Sequence, residues 1–420
     1  MKLWTLLLGL FLWTCPSFSQ PNDYEFIDYT YQEYIKSVKF SVSGLDLSYP
    51  ILDAESGNQL KLAFDDLEYE ISNYFYKIVH CNADWTPSSL SDLEYIDGFS
   101  EARIQNATYS FNTLIGYTHY DLYLPNRDTR FTKSGNYLLI VYNEDDDELI
   151  LTRRFMVVEP LLKISGDINA PVNVSKIRTH QEVDFRVNFE GVRLRNPQKE
   201  IRATVLQNGR WDNAVTDIPP MFVRVNELIY NYQGRIVFPG GNEYRFFDIR
   251  DLRVRNNSVL NIDRFDNYYD VTLYNDRKRR NDPYLFREDL NGNFVIDHRQ
   301  NRQPDTQNDY AQVLFSLYSP AEYEGEVYIF GAFTDWQLKE DFKMIYNPNV
   351  SAYVQKVELK EGFYNYAYAV EGKEKDAEPS IQDTEGSWFS TENEYLILMY
   401  YRPFGARFDQ LIGTYLLAFQ

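Results

Sequence analysis

"HQEVDFRVNFEG", His180 to Gly191, decides the fold class. Val183, Phe185, Val187 and Phe189 occupy alternate positions, so an extended chain places all four on one side. Glu182, Asp184, Arg186 and Asn188 then face the other way, whereas a helix would scatter the apolar residues around its circumference. The pattern recurs in "SVKFSVSG", where Val38, Phe40 and Val42 share a face, and "KLAFDDL" and "YFYKIVHC" follow it. "NYLLIVYN" is joined to "ELILTRRFMVVE" through the acidic turn Glu144-Asp145-Asp146-Asp147. Short runs at about ten-residue spacing, punctuated by Gly, Asn and Asp, describe β-sandwiches, and no segment keeps a helical period over three turns.

Punctuation suggests how the sandwiches divide. Glu159-Pro160 ends the first series, because proline cannot donate to a continuing ladder. Asn208-Gly209 and Asn291-Gly292 are preferred pairs for two-residue hairpin turns. "RKRRNDP", Arg277 to Pro283, reads as a loop, and the polar "HRQNRQPDTQND", His298 to Asp309, as a linker. The expected organisation is all-β, with three consecutive immunoglobulin-like or early-set sandwiches at residues 20–159, 160–309 and 310–420.

Residues 1–19 are expected to be a signal peptide. Lys2 precedes the apolar run "LWTLLLGLFLW", which is too short to span a bilayer, and Ser17 and Ser19 suit a cut before Gln20. Trp13 makes a poor lipoprotein box ahead of Cys15. Cleavage leaves Cys81 as the one cysteine, so no internal disulfide is expected and stability rests on burial.

Charge and composition narrow the function. Sixty-two acidic against 42 basic residues, a net charge of −20, oppose nucleic-acid binding. His80, His119, His180 and His298 are widely separated, and neither a serine-nucleophile elbow nor a glycine-rich phosphate loop is present. No enzyme activity, cofactor or metal is therefore expected. "EDLNGN" fails as a calcium loop, since a loop starting at Asp289 would need glycine where Phe294 stands. His80 and Cys81 are neighbours on a strand, so they point to opposite faces and cannot form a nucleophile pair. The 35 tyrosines leave a protein-binding role open. Exposed aromatics in turns are the default interface candidates: Trp211, Tyr268, Tyr269, Tyr400, Tyr401 and Phe404.

Three longer segments carry a resemblance. "YFYKIVHCNADWTPSSLSDLEYIDGF" (Tyr74 to Phe99), "VFPGGNEYRFFDIRDLR" (Val237 to Arg253) and "YLFREDLNGNFVI" (Tyr284 to Ile296) resemble the plug-protein family of the type IX secretion system in Bacteroidota. The resemblance runs in matching order from about Tyr34 onward. It implies a periplasmic protein whose partner is the outer-membrane β-barrel translocon of that system. Such a protein closes the channel when no cargo-accepting partner is bound.

A second resemblance points elsewhere. "GAFTDW" (Gly331 to Trp336), followed by Met344, "AYVQKVEL" and "EGFYNYAYAVEG", resembles the early-set module of carbohydrate- and glycogen-binding proteins. Glucan-binding members use a first Trp, a Lys and a second Trp. Trp336 matches the first, but Ala367 stands at the Lys, Glu374 stands near the second Trp, and Asn393 matches a late polar contact. The module is therefore read as retained scaffold with Trp336 as a vestigial platform position. The alternative function is a secreted or periplasmic glucan-binding protein.

Overall fold

A computed structural model describes residues 24–419, except 146, 301–302 and 373–378. The expected signal peptide with Cys15, and Glu374, lie outside the described residues. The chain is all-β and multidomain, built from mostly antiparallel sheets.

In the first sandwich one sheet runs in the order Tyr29–Thr30, Glu148–Val158, Gly135–Asn143, Tyr74–Cys81, Glu101–Arg103. The facing sheet runs Ile35–Val42, Leu60–Asp66, Thr118–Leu124, Asn106–Tyr109. Gly135–Asn143 shows why "NYLLIVYN" is apolar on both faces. Tyr137, Leu139 and Val141 enter the core between these sheets, while Leu138 and Ile140 enter a different cluster on the outer side. A strand covered on both faces reads as a continuous apolar run.

That outer cluster joins the first sandwich to the second. The second pairs a sheet of Lys163–Asn169, His180–Asn188, Glu227–Tyr230 and Phe222–Arg224 with one of Val215–Ile218, Ile201–Gln207, Glu394–Tyr401 and Gln410–Ala418. Tyr395, Ile397 and Met399 fill its own core. Leu396, Leu398 and Tyr400 point the other way, against Leu138, Ile140 and Met156. Each such apolar side chain contributes about 1.5–3 kcal/mol relative to exposure, so the contact behaves as a core.

The third sandwich is a ten-stranded sheet curled over one core. It runs Arg245–Asp248, Gly362–Val370, Val327–Phe330, Lys343–Asn347, Ala352–Lys360, Tyr310–Tyr318, Tyr269–Leu273, Val259–Arg264. Its strands correct the expected boundaries at residues 160–309 and 310–420. Arg245–Asp248 pairs with Gly362–Val370, and Tyr269–Leu273 pairs with Tyr310–Tyr318, so residues expected in the middle unit build the last one. Conversely, Glu394–Tyr401 pairs with Ile201–Gln207 and completes the second sandwich. Alternation reports which side chains share a face, and it carries no information about which strand lies alongside.

Two local expectations also change. Asn291 and Gly292 take positive φ (51° and 82°), as such a turn requires, but no strand precedes them to make a hairpin. The stretch expected as a linker ends in two buried residues, Asn308 and Asp309. Asp309 accepts hydrogen bonds from the backbone N–H groups of Leu114 (2.7 Å) and Ile115 (3.2 Å) in the first sandwich.

Candidate functional site

The Gly331–Trp336 turn is where all three sandwiches meet. Gly331 is required by space: a Cβ there would lie 2.9 Å from the Asn365 carbonyl oxygen and 3.1 Å from the Phe333 ring. The Thr334 hydroxyl donates to the Gly331 carbonyl (2.9 Å), and the Trp336 N–H donates to it from the far side of the turn (3.2 Å). Asp335 and Trp336 both take φ of 57°, which twists the two side chains away from the strand.

Asp335 is directed at the first sandwich. Its carboxylate lies 3.2 Å from the Arg153 guanidinium and 2.5 Å from the Lys339 ammonium. Burial opposes its charge, but Arg153 and Lys339 outweigh that and hold the carboxyl below its usual range. Arg153 also donates to the Tyr29 carbonyl (2.9 Å), and Gln337 donates to the Asp28 carbonyl (2.6 Å). The segment before the first long strand is thereby clamped beneath the turn.

Trp336 is directed at the second sandwich. The Arg210 guanidinium stands 5.3 Å from its ring centroid, and Phe330 and Tyr244 meet it edge-on at 5.4 and 5.9 Å. Arg210 is itself held by both oxygens of Asp212. Gly292 supports the ring from below, since a Cβ there would lie 2.2 Å from the indole. Ala367 is buried opposite Phe330 in the sheet. Asn393 is buried in the second sandwich, donating to Gln181 and to the Gly240 carbonyl. Trp336, Ala367 and Asn393 thus present no common face to a sugar chain.

A second polar junction joins the first and third sandwiches, and its members are too scattered in sequence to be foreseen. Buried Asp65 accepts from the Lys360 ammonium (2.6 Å) and the Tyr310 hydroxyl (2.6 Å), with His119 Nδ1 at 2.6 Å. Burial opposes the charge on Asp65, but Lys360 and His119 hold its carboxyl low. Burial likewise disfavours a charged His119, yet Asp121 and Asp65 raise its pKa to about 9. His119, Asp121 and Asp305 bring ligand atoms within 4.8 Å of one another, a spacing that could hold a metal ion. The Lys61 ammonium already supplies the cation there, 2.9 Å from Asp121 and 2.8 Å from Asp305. The one sequence signal was the acidic pair inside the apolar run "KLAFDDL".

The other candidate residues divide by burial. Tyr400, expected in an exposed turn, is instead buried, because its strand is covered on both faces; its hydroxyl donates to Asn136 (2.8 Å). Trp211 is half-buried between the first two sandwiches, edge-on to Trp85 at 5.0 Å and 5.2 Å from the Arg154 guanidinium. Tyr269 packs against the third core, and Tyr401 against the second. Tyr268 stacks on Phe265 at 4.7 Å, and Phe404 is 93% exposed. His80 and Cys81 diverge as strand geometry requires: His80 packs edge-on to Tyr137, while Cys81 enters the cluster between sandwiches. Burial pushes the Cys81 thiol up to about 12, which removes it as a nucleophile at neutral pH.

Comparison with known proteins agrees with this architecture. No curated protein matches the chain. Among solved structures, a hypothetical protein from Parabacteroides merdae ATCC 43184 is 36% identical with a TM-score of 0.90. That match covers 94% of this chain and 100% of the other. The C-terminal domain of the antigen I/II-family protein AspA from Streptococcus pyogenes, at 7% identity and a TM-score of 0.16 over 91% of this chain and 99% of its own, carries no argument. Residues 35–159 match the model of the type 9 secretion system plug protein first domain, which ends at the Glu159-Pro160 boundary. The chain belongs to the type IX secretion system plug family.

Proposed function

We propose that the chain is a non-enzymatic periplasmic plug. It binds the outer-membrane β-barrel translocon of the type IX secretion system and closes that channel when no cargo-accepting partner is bound. The first-domain match over residues 35–159 carries this reading. An amino-terminal signal peptide would deliver it to the periplasm. Among the described residues no helix is long and apolar enough to cross a membrane.

A cover for a wide aqueous pore must be broad and must not collapse into it. The cluster around Leu138 and Leu398 joins the first sandwich to the second, Asp65 and Lys360 join the first to the third, and Arg210 and Trp336 join the second to the third. Every pair of sandwiches is therefore tied, which gives breadth without a hinge. Closure must also be reversible, so the plug depends on surface complementarity and not on a deep anchor. The contacts of Trp336 with Arg210 and Tyr244 favour the plug over the glucan-binding alternative.

The test is affinity capture of the tagged full chain from solubilised outer membranes. Recovery of a very large barrel protein is expected. Recovery of none, with the barrel shown to be present in the extract, contradicts the proposal.

A further inference from the structure

The net charge of −20 is unevenly distributed. Residues 24–159 carry 23 acidic and ten basic residues, whereas residues 161–239, most of the second sandwich, carry eight acidic and eleven basic. Part of that excess is exposed at one end of the sandwich. The connection from Asn188 to Ile201 holds Arg193, Arg195 and Lys199, all exposed, and among the described residues none has a carboxylate within 4.0 Å. Of the two acids on this connection, Glu190 is exposed at its start, while Glu200 is turned inward and accepts the backbone N–H groups of Arg195 (2.9 Å) and Asn196 (3.1 Å).

Two exposed apolar tips share this end. The Phe189 N–H donates to the Asn226 carbonyl, which fixes the tip Val225-Asn226 beside the start of the connection. Val225 is 92% exposed, and its neighbour Arg224 is 68% exposed with Glu227 as a loose partner at 3.6 Å. The Arg402 N–H donates to the Glu200 carbonyl, and the Tyr401 hydroxyl donates to the Arg193 carbonyl. These bonds place the loop bearing Phe404 at the far side of the same connection.

We propose that this end of the second sandwich, with Arg193, Arg195, Lys199 and Arg224 around Val225 and Phe404, docks onto an acidic face of a partner protein. The inference rests on the plug reading, because the partner it offers is the translocon, and it names the face that meets it. Free guanidinium groups on a rigid connection suit bidentate contact with carboxylates, and the apolar tips lie where a desolvated centre would form. A basic patch on an otherwise acidic molecule also orients it during encounter, because the −13 of residues 24–159 is repelled by the surface that attracts this end.

The test compares three full-length proteins in capture from solubilised outer membranes. They are wild type, Arg193→Glu/Arg195→Glu/Lys199→Glu, and Lys176→Glu/Arg178→Glu as a control double reversal in a separate exposed segment of the same sandwich. Wild type and the control reversal should retain the barrel, and the triple variant should retain about tenfold less. Phe404→Ser, at a surface position, should also weaken capture while leaving the melting temperature unchanged. Equal retention by wild type and triple variant would overturn the docking face and leave the plug reading intact. Failure of wild type to retain the barrel would remove both. Flotation of wild type, but not the triple variant, with phosphatidylglycerol vesicles would assign the patch to a membrane surface instead. A dimer in sedimentation that the triple variant dissolves would assign it to a second copy of this chain. Either result contradicts the proposal.

Discussion

At the scale of residues, the Gly331–Trp336 turn shows how a motif can keep its conformation and change its employment. The turn still needs Gly331 and two left-handed residues, but Asp335 pairs with Arg153 and Trp336 lies under Arg210. Trp336→Ala is therefore expected to cost stability, about 3 kcal/mol in urea unfolding, as for other large aromatic truncations. Titration calorimetry with maltoheptaose should show no binding before or after the change; micromolar binding by wild type would contradict this. The substitution of Ala367 and Glu374 for platform residues was legible in the sequence. The partner that covers Trp336 was not, because Arg210 lies more than a hundred residues away on another sandwich. Tyr400 teaches the converse. Its strand, "EYLILMYY", is apolar without alternation, and that pattern marks burial on both faces even though the following "RPFG" looks like an exposed turn.

Among elements, strand identity was legible and strand partnership was not. "HQEVDFRVNFEG" becomes the strand His180–Asn188 with Val183, Phe185 and Val187 inside, as alternation requires. That Glu394–Tyr401 returns to Ile201–Gln207 depends on a chain path through the whole third sandwich. The junction between Leu60–Asp66, Thr118–Leu124 and Ala352–Lys360 is likewise assembled across sandwiches, and it predicts a pH dependence. His119 faces Asp65, Asp121 and Asp305, with Lys61 and Lys360 beside them. Its pKa rises from an ordinary 6.5 to about 9 on folding. A raised histidine stabilises fully below its unfolded value and loses that contribution as pH rises through the folded one. The stability gap between wild type and His119→Gln should thus be widest near pH 6 and close between about pH 6.5 and 9. A gap that widens with rising pH in chemical denaturation would contradict the charged state assigned to His119.

The molecule as a whole is held by contacts between sandwiches that resemble contacts within them. Leu138 and Leu398 are as buried as any core residue, and Trp85 and Trp211 report on the same junction. Unfolding is expected to be a single transition for the first two sandwiches, with tryptophan fluorescence and far-ultraviolet circular dichroism coincident. Leu398→Ala should lower that transition by about 2–5 kcal/mol without splitting it. Separate transitions would mean that the sandwiches are independent beads, a poor design for a cover. The proposed plug needs rigid breadth, and the ties between sandwiches would supply it. Permeability of living cells tests the plug most directly. In cells that lack the cargo-accepting partner but retain the translocon, deletion of this gene should admit large antibiotics such as vancomycin and lower the inhibitory concentration. Unchanged resistance, with the channel present in the outer membrane, would contradict the account.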